Sequence, residues 1–452
     1  MLHLQDNIKK YLPEMPDYAY KITIEHLLTH TSGIRDWQEL LWLNNWNPLQ
    51  TITPSVIYKL IITQQSLNSP PGEKFLYSNS NYDLLAEIIR RTTGNSLNEF
   101  ARNNLFIPLG MENTQYRQSI NQVISLRASG YDKQENGQFE YSNYNDIVAG
   151  SSKIYTSIKD LLKWDDLFYS QEDTVKAIIS QMTTKTRIKS GKLEPYGCGL
   201  QLTNFQGYPV QEHSGALSAD RGYYIRIPDV RLSLIILSNN GDIYPWAVSG
   251  KVLKEIFYYF RLPDKSQNVA ITQESKTAKS DLSLFVGVYG PQHKIGPGKI
   301  ITLKNNSLYL NNTLELEPIN DSTFSLKVNP DLLFTFTRSS SIHPNLQVSR
   351  LGDVLEQAVW LQKQKFTPTI NDYIGTYRSE ELNANYQILS KDGQLLLKKS
   401  ESEVLPLDVT YRDAFQNEPL FLNFTHSGSG TINGFYLSTY QTNNIVFKRL
   451  TK

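Results

Sequence analysis

Apolar positions in the first 262 residues follow two different periods. From Asn81 to Thr93, Leu84, Leu85, Ile88 and Ile89 recur at helical spacing, and Gly94 follows as a stop. Asp160-Leu-Leu-Lys-Trp-Asp-Asp-Leu-Phe168 repeats that amphipathic pattern. Thr23 is an N-cap residue type ahead of a short helix running to His30, and Gly33 is placed to end it in a left-handed conformation. Strand-like runs come later, Tyr223 to Ile227 and Arg231 to Ser238, and the Pro228-Asp229 pair between them reads as a hairpin turn. Helices with late strands predict an α/β or α+β domain over residues 1–262.

From residue 263 to 280 the chain is polar and aperiodic, which reads as a linker. An internal repeat follows. Phe285-Val-Gly-Val-Tyr289 returns as Tyr373-Ile-Gly-Thr-Tyr377, and each copy continues into a strand, a turn and a strand. Alternating runs recur too, Leu333-Phe-Thr-Phe336 and Leu420-Phe-Leu-Asn-Phe424, and Asp392-Gly393 is a strong hairpin signal. Two copies cannot build a solenoid, so residues 281–367 and 368–452 are expected to form two small barrels or sandwiches.

Length and composition narrow the function classes. A chain of 452 residues accommodates two to three domains, and 40% hydrophobic with 20% charged residues is a folding composition. With 45 basic and 44 acidic residues the formal charge is +1, so no long-range field draws nucleic acid or an anionic membrane, although a local basic groove is not excluded. The single cysteine, Cys198, allows neither an intramolecular disulfide nor a C-x-x-C metal or redox pair. No run approaches the roughly 18 apolar residues of a membrane-spanning helix, and the N-terminus has no apolar stretch of a signal peptide.

Three segments carry candidate chemistry: Leu27-Leu-Thr-His30-Thr-Ser-Gly-Ile34, Pro71-Gly-Glu-Lys-Phe-Leu-Tyr77-Ser78-Asn79, and His213-Ser214-Gly215. Their order, spacing and contexts resemble the serine β-lactamase and penicillin-recognising family, in its class C-like branch of esterases, D-aminopeptidases and DD-peptidases. The match extends to Tyr11-Leu-Pro13, to Pro108-Leu-Gly-Met111 before Asn113-Thr114, to Tyr155-Thr-Ser-x-x-Asp-Leu-Leu-Lys-Trp164 and to Leu237-Ser-Asn239, covering roughly residues 2–262. The resemblance implies a β-lactamase/transpeptidase-like α/β (α+β) domain with an antiparallel sheet flanked by helices, followed by the two all-β domains. It implies no cofactor and no metal, a small-molecule or peptide substrate, and no nucleic-acid partner. Relatives are often periplasmic, envelope or secreted proteins, which would require a signal peptide upstream of this sequence.

Acyl transfer through a serine is the implied reaction. A serine hydroxyl needs a base within hydrogen-bond reach, and in this family a Lys of S-x-x-K and the Tyr of Tyr-x-Asn share that work. Tyr77 is then the candidate general base and proton donor, for which nearby cations must favour its anion. Asn79 would orient the acyl side of the substrate, and His213 stands where other branches carry Lys. The backbone from Ser214 through Gly215 would pair with substrate as an added strand, and the Ala216 amide would donate to the oxyanion.

One element of that motif set is absent: no serine stands three residues before a lysine anywhere in the 452 residues. By the resemblance, S-x-x-K belongs roughly 20 residues before Met1. The chain therefore reads as a catalytic module lacking its nucleophile segment, and either a longer protein is active or this form is a non-catalytic binder of cell-wall peptides. Thr156-x-x-Lys159 and Thr186-x-x-Lys189 are the nearest substitutes, and Thr156 reads better as a helix cap.

Other residues have plainer readings. His26 and His30 share the i, i+4 spacing of a zinc pair but lack the Glu of H-E-x-x-H, so they read as loop hydrogen-bonders. Trp37, Trp42 and Trp46 suit a cleft or lid as well as they suit packing. Arg35 and Asp36 read as a surface pair. Cys198 lacks a paired base.

Overall fold

The structure, a computed structural model, describes all residues except 1, 48–49, 135, 143–144, 266–280, 291–297, 312, 328, 338–342, 351–352, 362–368 and 451–452. The chain divides into two compact units, Met1–Gln38 with Trp46–Gln267, and Glu39–Asn45 with Asn268–Lys452.

The first unit is built around an antiparallel sheet of four strands: β1 (Gln201–Phe205), β2 (Tyr208–Leu217), β3 (Asp220–Ile227) and β4 (Leu232–Ser238), in spatial order β4-β3-β2-β1. Period-two alternation gives the sheet two unlike faces. Val210, Tyr223, Ile225 and Ile227 pack against Leu253 and Phe257 of the Pro245–Tyr259 helix. The opposite face carries Tyr224, Arg226 and Ser233, all of which bond the Asp165 carboxylate of the Ile158–Leu167 helix. Sheet and flanking helices thus match the expected architecture.

Local sequence explains the helix limits. Thr23 caps the Ile24–Leu28 helix in a capping box with His26. That helix stops at Leu28 with Thr29 as its C-cap, short of the expected His30, because His30 itself turns left-handed at φ 53° before Gly33 is reached. The Asn79–Thr93 helix ends on Gly94 at φ 75°, as its periodicity predicts, but starts two residues before Asn81. Ser157, not Thr156, caps the Ile158–Leu167 helix. Thr156 instead lies 2.8 Å from the Thr114 hydroxyl, which donates to Asp160 Oδ2, and Asn113 N–H donates there as well. This knot is why Asn113-Thr114 and Thr-Ser-x-x-Asp occur together.

In the second unit the repeat resolves into two closed eight-stranded barrels, one from Gly287–Gly290 to Asp353–Leu361 and one from Gly375–Ser379 to Ile445–Arg449. Barrels, not sandwiches, form because the first strand pairs with the last, Tyr289 opposite Trp360 and Tyr377 opposite Arg449. The recurring Tyr has one job in both copies: Tyr289 donates to the Phe285 carbonyl at 2.9 Å and Tyr377 to the Tyr373 carbonyl at 2.7 Å. Phe324, Phe334 and Phe336 fill one interior, and Phe415, Phe424, Phe435 and Phe447 the other, so the alternating aromatics are core. Glu39–Asn45 belongs to this unit. There Tyr386 donates to the Leu43 carbonyl at 2.6 Å, Asn45 Nδ2 to the Lys399 carbonyl at 2.9 Å, and the Lys399 ammonium lies 3.9 Å above the Trp42 ring. Trp37 is completely buried, so both tryptophans serve packing. Most of the expected linker, 266–280, lies outside the described residues.

Candidate functional site

The His30-Thr-Ser-Gly33 and Pro71-to-Asn79 segments are separate in sequence and laced together in space. Leu76 N–H donates to the His30 carbonyl at 2.9 Å, Gly72 N–H to the Thr31 carbonyl at 2.8 Å, and Asn68 N–H to the Gly33 carbonyl at 2.7 Å. Gly33 is required at its position: φ is 77°, and a Cβ there would stand 2.0 Å from the Ser69 carbonyl oxygen.

This lacing presents Tyr77 and Asn79 at the start of the Asn79–Thr93 helix. Tyr77 lies 6.2 Å, ring to ring, from His213, so the two sequence-predicted side chains share one wall. Asn79 is anchored through both nitrogens, its backbone N–H at 2.7 Å and its Nδ2 at 2.8 Å from Asp36 Oδ2. Asp36 is therefore no surface residue. It and Arg35 are fully buried, and Arg35 donates to Gln64 and Ser66. Residue type alone misled here, because charged neighbours default to solvent. Their position directly after the His-Thr-Ser-Gly loop was the available signal.

His213 lies on β2, with Ser214, Gly215 and Ala216 exposed beyond it. β1 pairs only as far as Glu212, whereas β3 continues alongside to Leu217. Among the described residues, 213–217 consequently pair on the β3 side only, leaving the other edge open, and Gly215 has open space where a side chain would be. Tyr196, which sequence reasoning missed, lies 3.2 Å through its hydroxyl from His213 Nε2, and His213 Nδ1 lies 2.8 Å from the Ser214 carbonyl. A carbonyl can only accept, so Nδ1 carries the proton and Nε2 accepts from Tyr196.

The electrostatics depart from what a basic tyrosine needs. Burial pushes the Tyr77 phenol up to about 12, and the carboxyls of Asp36 and Asp83 push in the same direction. Burial raises the Asp83 carboxyl to about 7, although it accepts from Ser151. His213 is shifted down from its ordinary value by burial, and His30 is lowered to about 3, by burial first and then by His213.

The remaining candidates do not join the cluster. Burial pushes the Cys198 thiol up to about 11, leaving it unreactive. His26 spends Nδ1 on the Thr23 amide, and among the described residues no group of three or more His, Cys, Asp or Glu side chains could hold a metal ion. Thr186 donates to the Tyr196 carbonyl. A depression of about 580 Å³ by Lys254, Phe257, Tyr258 and Arg261 is remote in sequence from these motifs and carries none of their chemistry. No helix among the described residues is long and apolar enough to cross a membrane.

The chain is similar in sequence and fold to known proteins. A penicillin-binding protein of Bacillus subtilis (strain 168) is 27% identical over 346 residues, 72% of this chain and 75% of its own length. D-aminopeptidase of Gluconobacter oxydans (strain 621H) is 25% identical over 48% of this chain, which spans only 41% of that enzyme. The octameric penicillin-binding protein homologue from Pyrococcus abyssi has the same fold, with a TM-score of 0.51 and 19% identity, over 89% of this chain and 82% of that one. The Beta-lactamase family model matches residues 1–243, more than half of the sequence, which identifies the chain as a member of the Beta-lactamase family of serine hydrolases.

Proposed function

We propose that Tyr77, Asn79, His213 and the Ser214-Gly215-Ala216 edge form the acyl-transfer cleft of a hydrolase for D-amino-acyl peptides, amides, esters or β-lactams, and that this 452-residue chain alone does not turn them over. The observation that carries the second half is the burial of Tyr77. A phenol at about 12 is ionised in roughly one molecule in 10⁵ at pH 7, burial being the main cause and the carboxyls of Asp36 and Asp83 adding to it. The family's remedy, a lysine three residues after the serine nucleophile, is absent from the sequence. Relatives named as penicillin-binding proteins and D-aminopeptidases support the substrate class.

A second reading, non-catalytic capture of a cell-wall peptide, is favoured by the open strand edge, since strand addition needs backbone groups and no nucleophile. The test is incubation of the chain with a fluorescent penicillin and a p-nitrophenyl ester. Neither adduct nor hydrolysis is expected, and a covalent adduct or turnover overturns the claim of inactivity. Calorimetry with acetyl-Lys-D-Ala-D-Ala then separates the readings: saturable binding lost in Ala216→Pro supports capture, and absence of binding refutes it.

A further inference from the structure

His30 grips the candidate site from inside. Its own φ is 53°, in the left-handed region that few non-glycine residues occupy. Its Nδ1 lies 3.2 Å from the Ser78 amide nitrogen and 3.1 Å from Asn81 Nδ2. Asn81 is oriented by the Ser32 hydroxyl, which donates to its Oδ1 at 2.6 Å, so its NH₂ group faces the imidazole. Two donors on Nδ1 leave no room for a proton there, and the ring must be the neutral Nε2–H tautomer. Burial, by depressing its pKa to about 3, keeps the ring neutral. The Tyr77 ring lies 4.2 Å away, centroid to centroid, with Tyr82 and Tyr196 at 5.1 Å.

What that grip controls follows from strand geometry. Ser78 is extended, at φ −151° and ψ 121°, and in extended backbone residues i−1 and i+1 project to one side. Tyr77 and Asn79 can therefore face the same side only while Ser78 stays extended, and the Ser78 N–H is the group that His30 holds.

We propose that His30 is a positioning residue of the candidate site, accepting the Ser78 amide proton so that the Tyr77-Ser78-Asn79 segment stays extended with the phenol and carboxamide on one side. The inference rests on the reading of Tyr77 and Asn79 as site residues. It goes beyond that reading by giving the His-Thr-Ser-Gly loop a role distinct from loop closure.

The experiment uses the full chain with ¹⁵N-histidine and ¹³Cζ-tyrosine labels, the Tyr77 signal being assigned by Tyr77→Phe. In the wild type, an unprotonated Nδ1 with through-hydrogen-bond coupling to the Ser78 amide is expected between pH 5 and 9. A protonated Nδ1 or absent coupling overturns the proposal. His30→Asn keeps an acceptor near the Nδ1 position, whereas His30→Phe keeps the ring alone. The Tyr77 midpoint should stay near 12 in His30→Asn and fall toward 10 in His30→Phe, about a 100-fold rise in its ionisation constant as water reaches the phenol. Equal midpoints in the two variants overturn the proposal, and if His30→Phe does not fold, the wild-type tautomer and coupling decide. None of these readouts requires substrate, so penicillin turnover by the chain would sink the inactivity claim and leave the His30 result standing.

Discussion

Acidification should weaken the first unit through His30, and the size of the effect can be worked from its surroundings. In the unfolded chain the imidazole takes up a proton near pH 6.5, whereas in the fold it resists until about pH 3. Between those values the unfolded state binds the extra proton, so stability falls as pH falls. At about 1.36 kcal/mol per pH unit, moving from pH 7 to pH 4 costs roughly 3 kcal/mol. Asp83 opposes this. Its carboxyl, raised from 3.8 to about 7, binds a proton in the fold before it does in the unfolded chain, so the same acidification returns roughly 3–4 kcal/mol by the same conversion. The wild-type profile alone can therefore look flat. A difference measurement isolates the term: urea unfolding of wild type and His30→Asn at pH 7 and pH 4. Relative to its own value at pH 7, the variant should be about 3 kcal/mol better off at pH 4 than the wild type. Profiles parallel to within about 0.5 kcal/mol would show that His30 is not held neutral by burial, and the tautomer argument would fall with it.

Gly33→Ala should cost about 2–4 kcal/mol in urea unfolding, because positive φ and overlap with the Ser69 carbonyl act together, and a loss under about 0.5 kcal/mol would contradict the close approach. Trp42→Ala should lower the stability of the barrel unit by about 2–4 kcal/mol through lost packing and the Lys399 contact, read from its thermal unfolding, and an unchanged transition would remove Glu39–Asn45 from that unit. Cys198 should react with a thiol reagent at pH 8 roughly 200-fold more slowly than an ordinary cysteine, and a normal rate would mean that its thiol is not buried as described.

Much of this molecule is legible in its linear order. Leu84, Leu85, Ile88 and Ile89 mark a helical face with Gly94 beyond it, and the spacing of Phe285 to Tyr289 and Tyr373 to Tyr377 marks a duplication. Helical period, turn residues and capping act within about ten residues, so they can be read without knowing the fold. The motif segments around His30, Tyr77 and His213 are readable for a similar reason, since each has a distinctive local composition.

Only the tertiary structure decided the rest. Barrel closure depends on pairing Tyr289 with Trp360 and Tyr377 with Arg449, about 70 residues apart, and no local pattern reports it. That β1 stops at Glu212, so that residues 213–217 pair with β3 but not with β1, is a matter of which strand reaches how far. Asp36 read as a surface charge and is buried against Asn79, and His30 read as a loop hydrogen-bonder and holds the Ser78 amide. Ionisation behaves likewise: a phenol at about 12 and an imidazole at about 3 are consequences of desolvation by residues brought in from elsewhere in the chain. Sequence determines which groups are present and how nearby residues fold, while the cost of charging each group depends on water excluded by distant residues, which exists only once the chain has closed around it.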